Sequence, residues 1–137
     1  MREYNVIAVF NYTADKVLFC RRKKEPYKGL SNLVGGKIEP GEAGLDAAYR
    51  ELEEETAIGR GDIVLSHLMD FTYHISRCRV EVYAGRLQRP LCVAGDENEL
   101  YWSGLDRDFF DASQYAGEGN IGHIIAQIRL HQAQLLG

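Results

Sequence analysis

Gly36, a glutamate at position 42 after five intervening residues, and, after seven more, the run Arg50-Glu51-Leu52-Glu53-Glu54-Glu55-Thr56-Ala57-Ile58 restrict what this chain can fold into more than anything else in it. Residues three and four apart share one face of a helix, so Glu51, Glu54 and Glu55 project together. Leu45, Ala48, Leu52 and Tyr49 fall on another side, which predicts an amphipathic helix over residues 45–56 with an apolar stripe for the core and its acids turned outward. Like charges at that spacing weaken a helix unless something positive sits among them. Taken alone, the glutamates read as a solvated helix face. Their surroundings favour more: Gly35-Gly36-Lys37 followed by Pro40-Gly41-Glu42 brings a loop with permissive backbone directly into the acids. Such a loop can approach phosphate oxygens or turn a carbonyl to a cation, and oxygen donors select hard Mg²⁺ or Mn²⁺. Arg50 can neutralise part of the remaining charge and orient a neighbouring carboxylate.

The pattern resembles the box of the Nudix hydrolases, which runs Gly, five residues, Glu, seven residues, Arg-Glu, an aliphatic residue, any residue, Glu-Glu, any residue, Gly and an aliphatic residue. Gly36, Glu42, Arg50, Glu51, Leu52, Glu54, Glu55 and Ile58 match it. Ala57 stands where that family usually carries glycine. A glycine there serves as a left-handed helix cap, and an alanine forced into the role costs on the order of 1 kcal/mol. Gly59 is the expected replacement cap, reached by extending the helix two residues. The resemblance implies an α/β Nudix fold, a three-layer α/β/α sandwich with a mixed β-sheet, and spans most of the chain. It also implies that Glu51, Glu54 and Glu55 ligate two or three Mg²⁺ ions, with the Gly36 carbonyl a further donor and Glu42 beside the metal shell. A general base in this family comes from the box or from a later loop, so Glu54, Glu97 and Glu99 are the candidates, with Arg50 supporting them. The stretch Gly95-Asp-Glu-Asn-Glu is equally what a solvated acidic loop looks like.

A chain of 137 residues, 45% hydrophobic and 26% charged, can bury one core, and residues 1–137 are expected to form one domain. A net charge of −4 argues against a general binder of nucleic-acid polymers. The short basic run Arg21-Arg22-Lys23-Lys24 reads as a nucleic-acid patch or, beside a diphosphate site, as attraction for a polyphosphate. Cys20, Cys78 and Cys92 are odd in number and lack metal-type spacing, which fits reduced thiols in a cytoplasmic protein. Neither a signal core nor a membrane-length apolar run is visible.

Hydrophobic patterning predicts strands over residues 6–10, 17–22, 63–69, 71–76 and 79–87, a hairpin near Arg77, a short strand at 100–103 and a loop at 92–99. Ile121, Ile124, Ile125, Ile128 and Leu135 predict one terminal helix over 121–136, capped by Gly119 or Asn120. Two decoys fall away. Ser31 and Ile38 break a Walker A reading of Gly36-Lys37, and His67, His74, His123 and His131 form no zinc-binding pattern.

The metal site would handle many diphosphates, so substrate choice must reside elsewhere. Residues 31–37 resemble the Trp-Asn-Gly-Phe-Gly-Gly-Lys stretch of the Nudix enzymes that clear oxidised purine nucleoside triphosphates, with Ser31 in place of the tryptophan. On that match Asn32 contacts the base and Arg22 lies near the phosphates; Gly35 and Lys37 complete the substrate-binding set. Local turn capping is the alternative role for Asn32, and core burial the alternative to base stacking for Trp102. The expectation is an Mg²⁺-dependent pyrophosphohydrolase, monomeric or homodimeric, that releases a monophosphate and pyrophosphate from a nucleoside triphosphate. ADP-ribose or a dinucleoside polyphosphate is the alternative substrate, and a silent nucleotide-binding module the alternative role.

Overall fold

The computed structural model describes residues 1–137 apart from Ala94, Asp96 and Glu97. The described elements begin with strands β1 (Arg2–Phe10), β2 (Lys16–Arg21) and β3 (Ser31–Asn32), followed by helix α1 (Gly44–Thr56). Strands β4 (Ser66–Tyr73), β5 (Cys78–Arg86) and β6 (Glu99–Gly104) precede helices α2 (Asn120–Leu130) and α3 (Gln132–Leu136). The sheet runs β3-β2-β1-β5-β4, with β6 also pairing with β2. β1 and β5 are parallel over nine residue pairs, whereas the other strand pairs are antiparallel, so the sheet is mixed.

Side chains alternate across each strand and separate two cores. Ile7, Val9, Leu18 and Cys20 face α1 with Ala48 and Leu52. Ala8, Phe10, Val17 and Phe19 face the other way, toward Ile121, Ile124, Ile125 and Ile128 of α2. The result is the expected α/β/α layering. Buried Ala47 and Ala48 let α1 lie close on the sheet. β1 and β2 pair beside the turn that joins them, through Phe10 and Val17. Asn11 fixes this turn by accepting the Asp15 and Lys16 amides on its Oδ1. Farther along, the loop after β3 takes over the edge of β1, with the Ile7 amide donating to Val34 and Tyr4 bridging Lys37. The glycine loop is thereby stitched to a central strand.

Several boundaries differ from expectation. The two strands predicted at 63–69 and 71–76 are one strand, β4, with an irregularity between His67 and Met69; Ile63 makes only an isolated bridge to Leu87. The terminal helix breaks at His131, where φ is −119°, because apolar spacing reports which face is buried and not whether the backbone continues helically. Leu45, assigned to the apolar stripe, is exposed. Ala57 itself adopts the left-handed conformation (φ 66°) and donates its amide to the Glu53 carbonyl, so α1 ends there and Gly59 does not replace it. Trp102 packs beside the α1 core.

Candidate active site

Residues of the glycine loop meet the acidic face of α1. Gly36 makes two hydrogen bonds to one residue of β1: its amide donates to Asn5 Oδ1 at 2.9 Å and its carbonyl accepts the Asn5 amide at 2.8 Å. A Cβ on Gly36 would overlap the Glu51 carboxylate, and one on Gly35, where φ is 152°, would overlap the Asn5 carbonyl. The Gly35 amide donates to Glu55 Oε2 at 3.1 Å. Glycine is therefore required twice in succession for the loop to sit against both the strand and the carboxylates.

Arg50 supplies the positive charge that the acids need. Its guanidinium spans Glu42 (2.7 Å), Glu51 (3.0 Å) and Glu54 (3.2 Å) and also donates to the Lys37 carbonyl at 3.0 Å. The hydrogen bonds from Arg50 pull the Glu42 carboxyl down from its ordinary 4.5 to about 2, and the same contacts raise the Arg50 pKa. Glu51 moves in the opposite sense: burial raises its pKa despite the hydrogen bond from Arg50. Glu54 is more exposed than Glu42 and Glu51.

Among the described residues no three carboxylate, imidazole or thiol groups already form a cation cage. Arg50 holds Glu51 and Glu54, so both would have to turn from it toward a shared cation. The donor chemistry nevertheless fits a hard divalent ion. Glu51, Glu54 and Glu55 offer carboxylate oxygens, and the Gly36 carbonyl keeps a second lone pair after accepting the Asn5 amide.

The remaining predicted residues separate into two groups. Arg22 donates from Nε to the Pro26 carbonyl at 2.7 Å; both it and Glu55 influence the buried Cys20 thiol, which burial pushes up to about 12. The Lys37 side chain is exposed beside the loop. Glu99, however, pairs with Arg21 at 3.9 Å and shares the sheet face of Tyr101, opposite the face that carries α1. The structure does not bring it to the carboxylate cluster. Glu97 lies outside the described residues.

Asn32 serves two environments. Its Oδ1 accepts the Leu33 amide at 2.8 Å, a local turn bond, and the residue lines a cavity of about 490 Å³ on the α2 side of the sheet. Leu33, Phe71 and Ile124 form apolar wall, while Tyr27, Glu118 and Asn120 supply polar atoms. Tyr27 donates its hydroxyl to Glu118 at 2.8 Å, linking the loop before β3 to the loop before α2. Asn120 hydrogen-bonds Tyr73. Asn32 and Gly36 are four residues apart, so their Cα atoms can be no more than roughly 14 Å apart. The cavity and the carboxylates thus flank one short stretch of chain.

Sequence reasoning missed Asn5, Tyr27, Glu118 and Asn120. Only Asn5 had a local signal, as an amide at the head of the apolar run Val6-Ile7-Ala8-Val9-Phe10. The others become neighbours only when distant loops fold over the sheet.

A NUDIX domain family model matches residues 1–101. A curated relative, the CTP pyrophosphohydrolase of Escherichia coli, is 31% identical over 108 residues, covering 74% of this chain and 76% of the relative. The ADP-ribose pyrophosphatase of Methanocaldococcus jannaschii is 43% identical over 44 residues, covering 32% of this chain and only 26% of that protein. In three dimensions the chain resembles a C. elegans Ap4A hydrolase with TM-score 0.77 at 18% identity, covering 97% of this chain and 98% of the other. That likeness concerns the fold alone.

Proposed function

The chain belongs to the NUDIX domain family, and on that premise we propose that it is a divalent-metal-dependent hydrolase of nucleotide phosphoanhydrides. Its preferred substrate is a nucleoside triphosphate, with an oxidised purine as the favoured base, and its products are the monophosphate and pyrophosphate. The observation that carries this reading is the convergence of Gly35 and Gly36 on Glu55 and Glu51: the Gly35 amide donates to Glu55, and a Cβ on Gly36 would overlap the Glu51 carboxylate.

In this reading Glu51, Glu54, Glu55 and the Gly36 carbonyl hold Mg²⁺, with Mn²⁺ as a substitute. The bound ion supplies Lewis acidity and lowers the pKa of water. Glu54, the most exposed of the three acids, accepts a proton from the attacking water. Attack at phosphorus breaks the anhydride bond, and pyrophosphate departs with the bond's electron pair. Arg50 holds Glu42 ionised and orients Glu51 and Glu54. Arg22 and Lys37 attract the phosphates, while the 490 Å³ cavity receives the nucleoside beside Asn32. Glu99 faces the other side of the sheet and has no part in proton transfer here.

The relatives' names span CTP and ADP-ribose, so substrate choice has to be measured. Product formation with Mg²⁺ should be followed by chromatography across ordinary and 8-oxo nucleoside triphosphates, ADP-ribose and dinucleoside polyphosphates. Preferential release of monophosphate and pyrophosphate from the 8-oxo purine supports the proposal, provided Glu54→Gln abolishes it without unfolding the protein. Preference for ADP-ribose or a dinucleotide retains the hydrolase and discards the substrate. No turnover of any compound favours a nucleotide-binding module.

A further inference from the structure

Asn5 occupies an odd place for an amide. β1 lies between the glycine loop and β5, and the neighbouring residues on the α1 side of the strand, Ile7 and Val9, are fully buried aliphatics. Asn5 is 2% exposed, and its Nδ2 is the one buried side-chain polar atom among the described residues without a hydrogen-bond partner. Leaving such a donor unpaired costs about 1–3 kcal/mol, whereas an aliphatic side chain at this position would incur no such penalty. What the amide gains is Gly36: Oδ1 accepts the Gly36 amide, while the Asn5 main chain donates to the Gly36 carbonyl. One residue thus holds this peptide segment from both ends and sets the direction in which the carbonyl points.

Three carboxylates approach Asn5 and its glycine neighbours on the α1 side, and of these Glu55 already accepts the Gly35 amide at 3.1 Å. Glu81, the partner of Asn5 across the parallel pairing with β5, is already engaged by the Tyr83 hydroxyl at 2.6 Å and Arg79 at 2.7 Å. Glu51 abuts the Gly36 Cα, and Arg50 binds its Oε1. From this arrangement we infer that Asn5 is a positioning residue: it aims the Gly36 carbonyl at the divalent ion and holds its free Nδ2–H for the Glu51 carboxylate when that ion is bound. The inference rests on the metal-site reading proposed above, and it concerns residues that position a ligand, not a further ligand.

The test is Mn²⁺ binding, followed by electron paramagnetic resonance without substrate, in the wild-type chain and in Asn5→Leu and Asn5→Ala, alongside thermal unfolding. Loss of a partner that orients a metal ligand weakens affinity about 10- to 100-fold. Asn5→Leu is expected to lose that much affinity with little change in melting temperature, because it is nearly isosteric and its removal of the unpaired donor offsets the loss of the acceptor for the Gly36 amide. A purely structural role predicts the reverse, lowered stability with unchanged affinity, and would overturn the inference. Wild-type protein that binds no Mn²⁺ overturns the metal-site reading and this inference together; wild-type binding with equal binding by both variants overturns this inference alone. Hydrogen exchange on the wild-type protein covers the case in which neither variant folds. The Gly36 amide should be protected, and the Asn5 side-chain amide should exchange more slowly when Mg²⁺ is added. An unprotected Gly36 amide, or an Asn5 side chain indifferent to Mg²⁺, refutes the proposal.

Discussion

Replacing Ala57 with glycine should stabilise this protein. Ala57 sits at φ 66° and ψ 12°, where its backbone closes α1 by donating to the Glu53 carbonyl. An L-residue in that conformation costs roughly 1–2 kcal/mol because Cβ crowds the following carbonyl. Glycine removes this strain but adds conformational freedom to the unfolded chain, which subtracts about 0.4–1 kcal/mol. Ala57 is exposed, so little methyl burial is lost. The net gain is about 0.5–1 kcal/mol, or a rise of roughly 2–4 °C in melting temperature for a chain of this size. Scanning calorimetry or thermal circular dichroism would detect it. If residue 57 were instead helical and the cap lay at Gly59, glycine would cost about 1 kcal/mol and the melting temperature would fall. A fall of that size would refute the placement of the helix end. Mn²⁺ affinity should not change, since Ala57 is not among the groups that meet Gly35, Gly36 or Arg50.

Other perturbations separate stability from function. Gly36→Ala places a methyl against the Glu51 carboxylate, the movable end of a side chain, so the fold should survive while metal affinity falls about 10- to 100-fold; unchanged Mn²⁺ affinity would contradict the fit between loop and helix. Gly44→Ala meets the Glu81 carboxylate, which Tyr83 and Arg79 pin from two sides, so despite alanine's helix preference it should lose about 1–3 kcal/mol in urea unfolding. Glu42 has its pKa lowered from 4.5 to about 2, so its ion pair with Arg50 contributes fully above pH 4.5 and is lost as pH falls through 2. The stability gap between wild type and Glu42→Gln should therefore be constant near neutrality and close during acid titration; a gap that widens on acidification would reverse the sign. Tyr27→Phe removes the bond to Glu118 at the cavity and should change KM for nucleotide while leaving Mn²⁺ affinity intact, a split that steady-state kinetics and metal titration would reveal together.

Sequence alone determined what depends on local periodicity and on spacing along one segment. The helix from Gly44 to Thr56, its acidic face, the buried Leu52 and the ability of Arg50 to reach neighbouring carboxylates all follow from 3.6 residues per turn. So does the alternation that sends β2 side chains into two different cores. Tertiary structure decided whatever depends on where an edge is paired or where a distant loop arrives. Strand alternation separates Glu99 from the box acids, but only the pairing of β6 with β2 shows which face it takes. Apolar spacing through Leu135 could not reveal the break at His131, and a helix-capping rule could not reveal that Ala57 bears the strain itself. Asn5 and Gly36 are distant in sequence but bonded twice, and Tyr27 reaches Glu118 across 91 positions. These contacts exist because the glycine loop and the segment before α2 each close onto the same sheet, an outcome of packing that no short window of sequence encodes.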